Sequence, residues 1–229
     1  MNLTLSIDTS SHNSSISVLE EENILTEYNF TSSKDLSATL IPNIDFILKN
    51  LGLTISEIDI FGIASGPGFF TGIRVGISTL KGLLFGKNIP IVPVTALEAL
   101  AYKTGPEFSE ITPLIDARRS EVYTATYNFR KKDKIERTLP LLTPISDLKD
   151  VLKKTKEFVF TGSGSEAHTD YLTENFKNCL IIKKSPYLSS EIGKIALNEY
   201  KKGHFITDIS ELSPLYIRRP DAEKNLRSD

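Results

Sequence analysis

The chain has 229 residues, enough for one large domain or two small ones, and its 40% hydrophobic and 24% charged side chains are the balance of a soluble globular protein. A formal net charge of −2 excludes a protein that clamps nucleic acid by bulk charge alone. The single cysteine, Cys179, excludes an internal disulfide framework and a four-cysteine zinc site, and fits a reducing, cytoplasmic setting.

Met1 to Asp8 has no basic region and only a short apolar run, and no later run approaches membrane-span length, so neither an export signal nor membrane association is expected. Leu3 to Asp8 alternates apolar and polar side chains and is predicted as a half-buried strand. Thr9 to Asn13 is turn chemistry, Ser15 to Leu19 returns as a second strand, and Ile24 to Phe30 is a third. Leu36, Leu40, Ile41, Ile44, Ile47, Leu48 and Leu51 recur at helical spacing; Pro42 is expected to kink this helix and Gly52 to end it. The apolar run Ile58 to Ile63 is the next strand, and it enters the most informative stretch of the chain, Ala64 to Gly76.

That stretch places Gly66, Gly68 and Gly72 at a strand-to-helix junction, where the backbone must turn tightly or be approached closely. Thr71 is expected to cap the following helix. Gly72 and Gly76 lie one helical turn apart and leave a face without side chains, so another backbone can come near. A helix start with free N–H groups can hold an anion. However, no Gly-Lys-Ser/Thr follows, and Gly66-Pro67-Gly68 lacks the third glycine of a dinucleotide fingerprint. The second reading is a packing device, with Phe69 and Phe70 offered to a partner. The helix runs to Phe85, Gly86 stops it, Ile89 to Val94 is a strand, and Thr95 caps a helix through Leu97, Leu100 and Ala101.

After Gly105-Pro106 the order begins again. Thr112 to Asp116 is a strand ending in an acid, and Glu121 to Phe129 makes a hairpin with it. The run Arg130-Lys131-Lys132-Asp133-Lys134 reads as a solvated hairpin tip, and Ile135 to Leu142 as a third strand. A short helix near Ile145 to Leu152, a buried strand at Phe158 to Phe160, a turn at Thr161-Gly162-Ser163-Gly164, a helix, a strand at Leu180 to Ile182 and a helix from Ser189 to Tyr200 follow. This is an α/β protein of two tandem lobes, 1–104 and 105–229, each a mixed sheet flanked by helices. The arrangement resembles the actin-like (ASKHA, ribonuclease H-like) architecture shared by actin, sugar kinases and chaperone ATPases.

Two residue groups carry candidate chemistry. Asp8, Thr9 and Ser10, with Gly66 and Gly68, either contact a nucleotide phosphate or Mg²⁺ or cap the first hairpin locally. Asp116, Arg118 and Arg119 either reach an anion bidentately or form a local ion-pair cluster with Glu121. His12, His168 and His204 show no ligand spacing and are expected at the surface or as caps, so no metal site is assigned.

In their succession, Ile7-Asp8-Thr9-Ser10, Gly66 to Arg74, Lys81-Gly82-Leu83, Val94 to Ala101, Asp116 to Tyr123 and Pro214-Leu215-Tyr216-Ile217-Arg218 resemble the TsaB (YeaZ) family. The resemblance covers nearly the whole chain. It implies a non-catalytic scaffold subunit in the synthesis of N6-threonylcarbamoyladenosine at position 37 of tRNA, binding and activating the transferase TsaD. The alternative is an actin-like ATPase or kinase. The resemblance further implies a homodimer when alone, TsaE as a further partner, and tRNA reached through the complex. It places ATP, Mg²⁺ and a metal in partner subunits and no cofactor here. The first lobe is the expected dimerisation and partner surface, and Leu36, Leu40, Ile44, Phe69, Phe70, Thr71, Arg74, Ile77 and Leu80 are its candidate contacts. The catalytic paralogue carries two metal-binding histidines four residues apart; the matching stretch here holds Ala96 and Leu100. One departure stands out: many relatives carry His-Ser-Glu ahead of Leu-Leu-Pro in the first helix, where this chain reads Leu36-Ser37-Ala38-Thr39-Leu40-Ile41-Pro42.

Overall fold

The computed structural model describes residues 1–31, 35–131, 134–153 and 157–218. The alternating segments Leu3–Asp8 (β1), Asn13–Glu20 (β2) and Asn23–Thr31 (β3) form an antiparallel meander, with Ser6 opposite Ser17 and Ile16 opposite Tyr28. Ile60–Gly66 (β4) and Ile91–Thr95 (β5) add in parallel on the other side of β1, giving the order β3-β2-β1-β4-β5. β4 is buried along its whole length, as parallel strands covered on both faces are. One face is covered by Leu36–Asn50 (α1) and Phe70–Leu83 (α2). Their apolar stripes meet Leu5, Ile7, Ile16, Val18, Phe61 and Ile63 in one core. α1 runs on through Pro42, which lies on its exposed side, where solvent can take the carbonyl the proline leaves unpaired. The expected cap of Ala96–Thr104 (α3) is present: Glu98 N–H donates to Thr95 Oγ1 at 3.1 Å.

The second sheet comprises Glu110–Asp116 (β6), Glu121–Thr124 (β7), Tyr127–Lys131 (β8), Lys134–Arg137 (β9), Leu141–Pro144 (β10), Val159–Thr161 (β11) and Leu180–Ile182 (β12). Its order is β10-β7-β6-β11-β12, with β8 on β6 and β9 on β8. Further α-helices among the described residues are Leu148–Val151 (α4), Ser163–Ala167 (α5), Thr169–Asn175 (α6) and Ser189–Lys201 (α7). Two mixed sheets flanked by helices are the fold class the sequence predicts. The strand predicted over Glu121 to Phe129 is broken after Thr124, and its two parts pair with different stretches of β6. The third strand predicted from Ile135 to Leu142 is likewise two short ones. Of the basic run read as a hairpin tip, Lys132 and Asp133 lie outside the described residues.

The packing interlocks the two parts of the chain on either side of residue 104. Leu97 and Ala101 of α3 enter a core with Ile111, Tyr127 and Val159 of the second sheet. α7 crosses the other way and lays Ile192 and Ala196 against Ile60 and Val92 of the first. Gly62 allows this approach, since a side chain there would stand 3.0 Å from the Ala196 Cβ. The chain then stays with the first sheet: Ile206 pairs with Ile91 through bonds of 2.8 and 2.9 Å, and Leu212 joins the first core.

Candidate functional site: the cleft between the lobes

Asp8, at the end of β1, is fully buried. Its Oδ1 accepts from the Ser10 N–H (2.8 Å) and hydroxyl (2.6 Å), while Oδ2 has no partner among the described residues. Burial pushes the carboxyl up to about 6, against the opposing pull of the Ser10 bonds and of Lys103. The turn that follows is pressed onto the start of α2. Phe69 N–H donates to the Ser10 carbonyl at 2.6 Å. A methyl group on Gly68 would collide with that carbonyl, one on Gly72 with the Thr9 carbonyl, and one on Gly76 with the Thr9 hydroxyl. The backbone that approaches the bare face of Gly72 and Gly76 is therefore the chain's own. Gly66 is packed by the C-terminal segment, where Leu215 N–H donates to the Ser65 carbonyl at 2.8 Å.

This geometry corrects part of the anion reading. Asp8, Thr9 and Gly66 are buried behind the cleft wall, and the Ser10 and Thr9 carbonyl oxygens fill the space beside Gly68 and Gly72. With Asp8 sealed from the cleft, its carboxyl cannot reach a Mg²⁺ there, so the residues do not fit a bound Mg–nucleotide at this turn. The capping prediction also changes: α2 begins at Phe70, no side chain caps it, and Thr71 is exposed in its first turn.

In front of that wall lies a cleft of about 660 Å³. Ser10, His12, Pro67, Gly68, Phe69 and Phe70 line it from the first lobe. Ile115, Asp116, Arg118, Tyr123 and Ser163 line it from the second, and Leu215 to Arg218 cross between them. The structure thus joins Ser10, Gly68, Asp116 and Arg118 of the sequence candidates in one site. His12 stacks on Phe69 (ring centroids 4.5 Å). Phe70 lies 5.2 Å from Tyr216, Arg74 sits 3.9 Å over the Phe70 ring, and Arg74 Nε–H donates to Tyr216 Oη at 2.9 Å. Phe69 and Phe70 therefore belong to the cleft mouth, with Arg74 packed on its outer side.

The opposite lip is a strained hairpin. Arg118, Arg119 and Ser120 all have positive φ (63°, 56° and 56°), a left-handed run that costs roughly 1 kcal/mol or more per residue. Four bonds hold it: Arg118 N–H to Asp116 Oδ1 (2.9 Å), Glu121 N–H to the Arg118 carbonyl (3.0 Å), Ala117 N–H to the Glu121 carbonyl (2.9 Å) and Ile145 N–H to the Ser120 carbonyl (2.8 Å). Arg218 braces it from the C-terminal segment, donating to the Ala117 carbonyl at 3.1 Å and pairing with the Glu121 carboxylate. Arg118 lies 4.0 Å from Asp116, and its side chain is 81% exposed. Of the two readings of this hairpin, the local ion pair is present between Arg118 and Asp116, while Glu121 is paired by the distant Arg218.

Five of the predicted partner contacts are corrected. Leu36, Leu40, Ile44, Ile77 and Leu80 are buried in the chain's own first core, because the sheet beneath them takes the helical stripe. Ala96 and Leu100 are buried core residues as well. His12, Tyr123, Ser163, Tyr216 and Arg218 are not among the sequence candidates for the site, although Tyr123, Tyr216 and Arg218 stand in segments already singled out.

Residues 29–226 match the family model described as TsaD: tRNA N6-adenosine threonylcarbamoyltransferase. Among curated proteins, the Bacillus subtilis tRNA threonylcarbamoyladenosine biosynthesis protein TsaB is 29% identical over 96% of this chain and 95% of its own. The Haemophilus influenzae TsaB is 28% identical, with 98% of each chain covered. Among solved structures, YeaZ from Pseudomonas aeruginosa superimposes with a TM-score of 0.78 at 22% identity, over 94% of this chain and all (100%) of that one. Component A of the Acidaminococcus fermentans (R)-2-hydroxyglutaryl-CoA dehydratase gives 0.54 at 12% identity, over 88% and 99%. These superpositions show the shared two-lobed, actin-like fold.

Proposed function

We propose a function from one premise: the chain belongs to the threonylcarbamoyltransferase (TsaD) family and, within it, to its TsaB (YeaZ) members. It takes part in forming N6-threonylcarbamoyladenosine on tRNA in the cytoplasm, as a non-catalytic subunit that binds TsaD and holds it in its active arrangement. The observation that supports this reading most is the closed glycine turn. The space beside Gly68, Gly72 and Gly76 is filled by the chain's own Ser10 and Thr9, and Asp8 is sealed from the cleft. The rival ATPase or kinase reading requires that carboxylate in the cleft. The core positions of Ala96 and Leu100 agree with placing the metal chemistry in a partner.

The partner surface we assign is the outer side of α1 and α2, where Ile41 (48%) and Phe46 (54%) are exposed, as are Ser37, Thr71 and Ser78. Homodimer and TsaD compete for this side, and TsaE joins the assembled pair. Reconstitution tests the role: TsaD, TsaE, TsaC, ATP, threonine, bicarbonate and tRNA modify adenosine only when this chain is added. Full modification without it rejects the proposal, as does transfer by this chain alone.

A further inference from the structure

The cleft mouth is unlike the rest of the surface. The chain as a whole carries a net charge of −2, yet Arg74, Arg118 and Arg218 gather here against Asp116 and Glu121. Both carboxylates are already engaged within the hairpin and its brace. Beside these cations are rings that the fold does not cover. Phe70 remains 37% exposed and Tyr216 44% even with Arg74 packed on them, and Tyr123 closes the far wall. Strong aromatic exposure at a concave site lined by arginine is a costly surface to leave in water, and it matches one ligand chemistry: a flat base beside a phosphate.

We propose that the cleft mouth binds a single-stranded RNA segment, one base stacking on Phe70 and Tyr216 and the adjoining phosphate meeting Arg118. The left-handed hairpin holds that guanidinium out over the cleft, and Arg74 fixes the two rings at 5.2 Å so that they are preformed for stacking. The cleft's volume of about 660 Å³ admits one nucleotide with its sugar. An acidic protein segment would satisfy the arginines but leave the rings idle. The choice of RNA rests on the proposed part in tRNA modification, but the binding is a property of this chain by itself.

The test uses the full chain and fluorescence anisotropy of a labelled oligoadenylate (about 12 nucleotides) at low salt. Wild type binds with a dissociation constant on the order of 10–100 µM, and binding weakens with added salt. Tyr216→Leu and Phe70→Leu each weaken it by about fivefold or more, the loss expected for one stacked base. Arg118→Ala lowers the slope of log affinity against log salt by about 0.7, one phosphate contact on a single strand. Circular dichroism checks that each variant folds, and Arg118 is exposed enough that its change cannot unfold the core. The proposal is overturned by absence of binding, by variants that bind like wild type, or by a polyglutamate peptide displacing the RNA at equal concentration of charge. Because no partner is present, such a failure leaves the TsaD reconstitution result standing, and failed reconstitution leaves this one standing.

Discussion

Asp8 shows how a single residue separates inheritance from use. Its carboxyl is held up at about 6 by burial, so the folded state binds the proton more tightly than the unfolded chain does. The associated stability is fully present below the ordinary carboxylate pKa, falls as pH rises through about 6, and does not change further above that. Over the window this amounts to on the order of 3 kcal/mol. Asp8→Asn keeps an acceptor for both Ser10 donors and removes the buried charge. The expected outcome is a variant more stable than wild type at pH 7–8, with the gap closing toward about pH 4. Urea midpoints across that range check it, and parallel pH profiles for the two proteins would show that the carboxyl is not sealed. The same residue is silent in sequence. An Asp-Thr-Ser turn reads equally as a metal ligand or a local cap, and only the tertiary position of the glycine turn decides between them.

At the scale of elements, α1 separates what spacing reveals from what it does not. Its 3.6-residue stripe marks the covered side of a helix but does not name the covering body. The sheet of the same chain covers it, and the informative apolar residues are those off the stripe, Ile41 and Phe46. Leu40→Glu buries an unpaired charge, and loss of the folded state is expected. Ile41→Glu leaves the melting temperature within about 2 °C of wild type but cuts co-purification with TsaD about tenfold or more. Retained complex in the second variant would remove the assigned surface. Much else at this scale was legible because it is local. The first meander, the Thr95 cap and the bare face of Gly72 and Gly76 follow from neighbouring residues. Half of the cleft was not legible. His12, Tyr123, Tyr216 and Arg218 come from segments far apart in sequence, and no short-range pattern announces their meeting.

The whole molecule is held at one interlobe angle by a strap. Leu212 is anchored in the first core, Leu215 bonds to Ser65, Tyr216 to Arg74, and Arg218 reaches over to Ala117 and Glu121. Arg218→Ala leaves a partly buried carboxylate without its cation, a cost of about 1–3 kcal/mol. Faster amide exchange at residues 115–122, with α1 and α2 unaffected, is the expected signature; unchanged exchange would show that the hairpin stands without its brace. α3 and α7 interlock the lobes from behind, each packed on the sheet the other follows in sequence. During synthesis, this exchange means that the back of the opening meander stays bare until residue 201 has been made. A nascent chain stalled before Ser189 carries an uncovered sheet into the cell, so the codons for α7 determine whether those for the meander yield anything soluble.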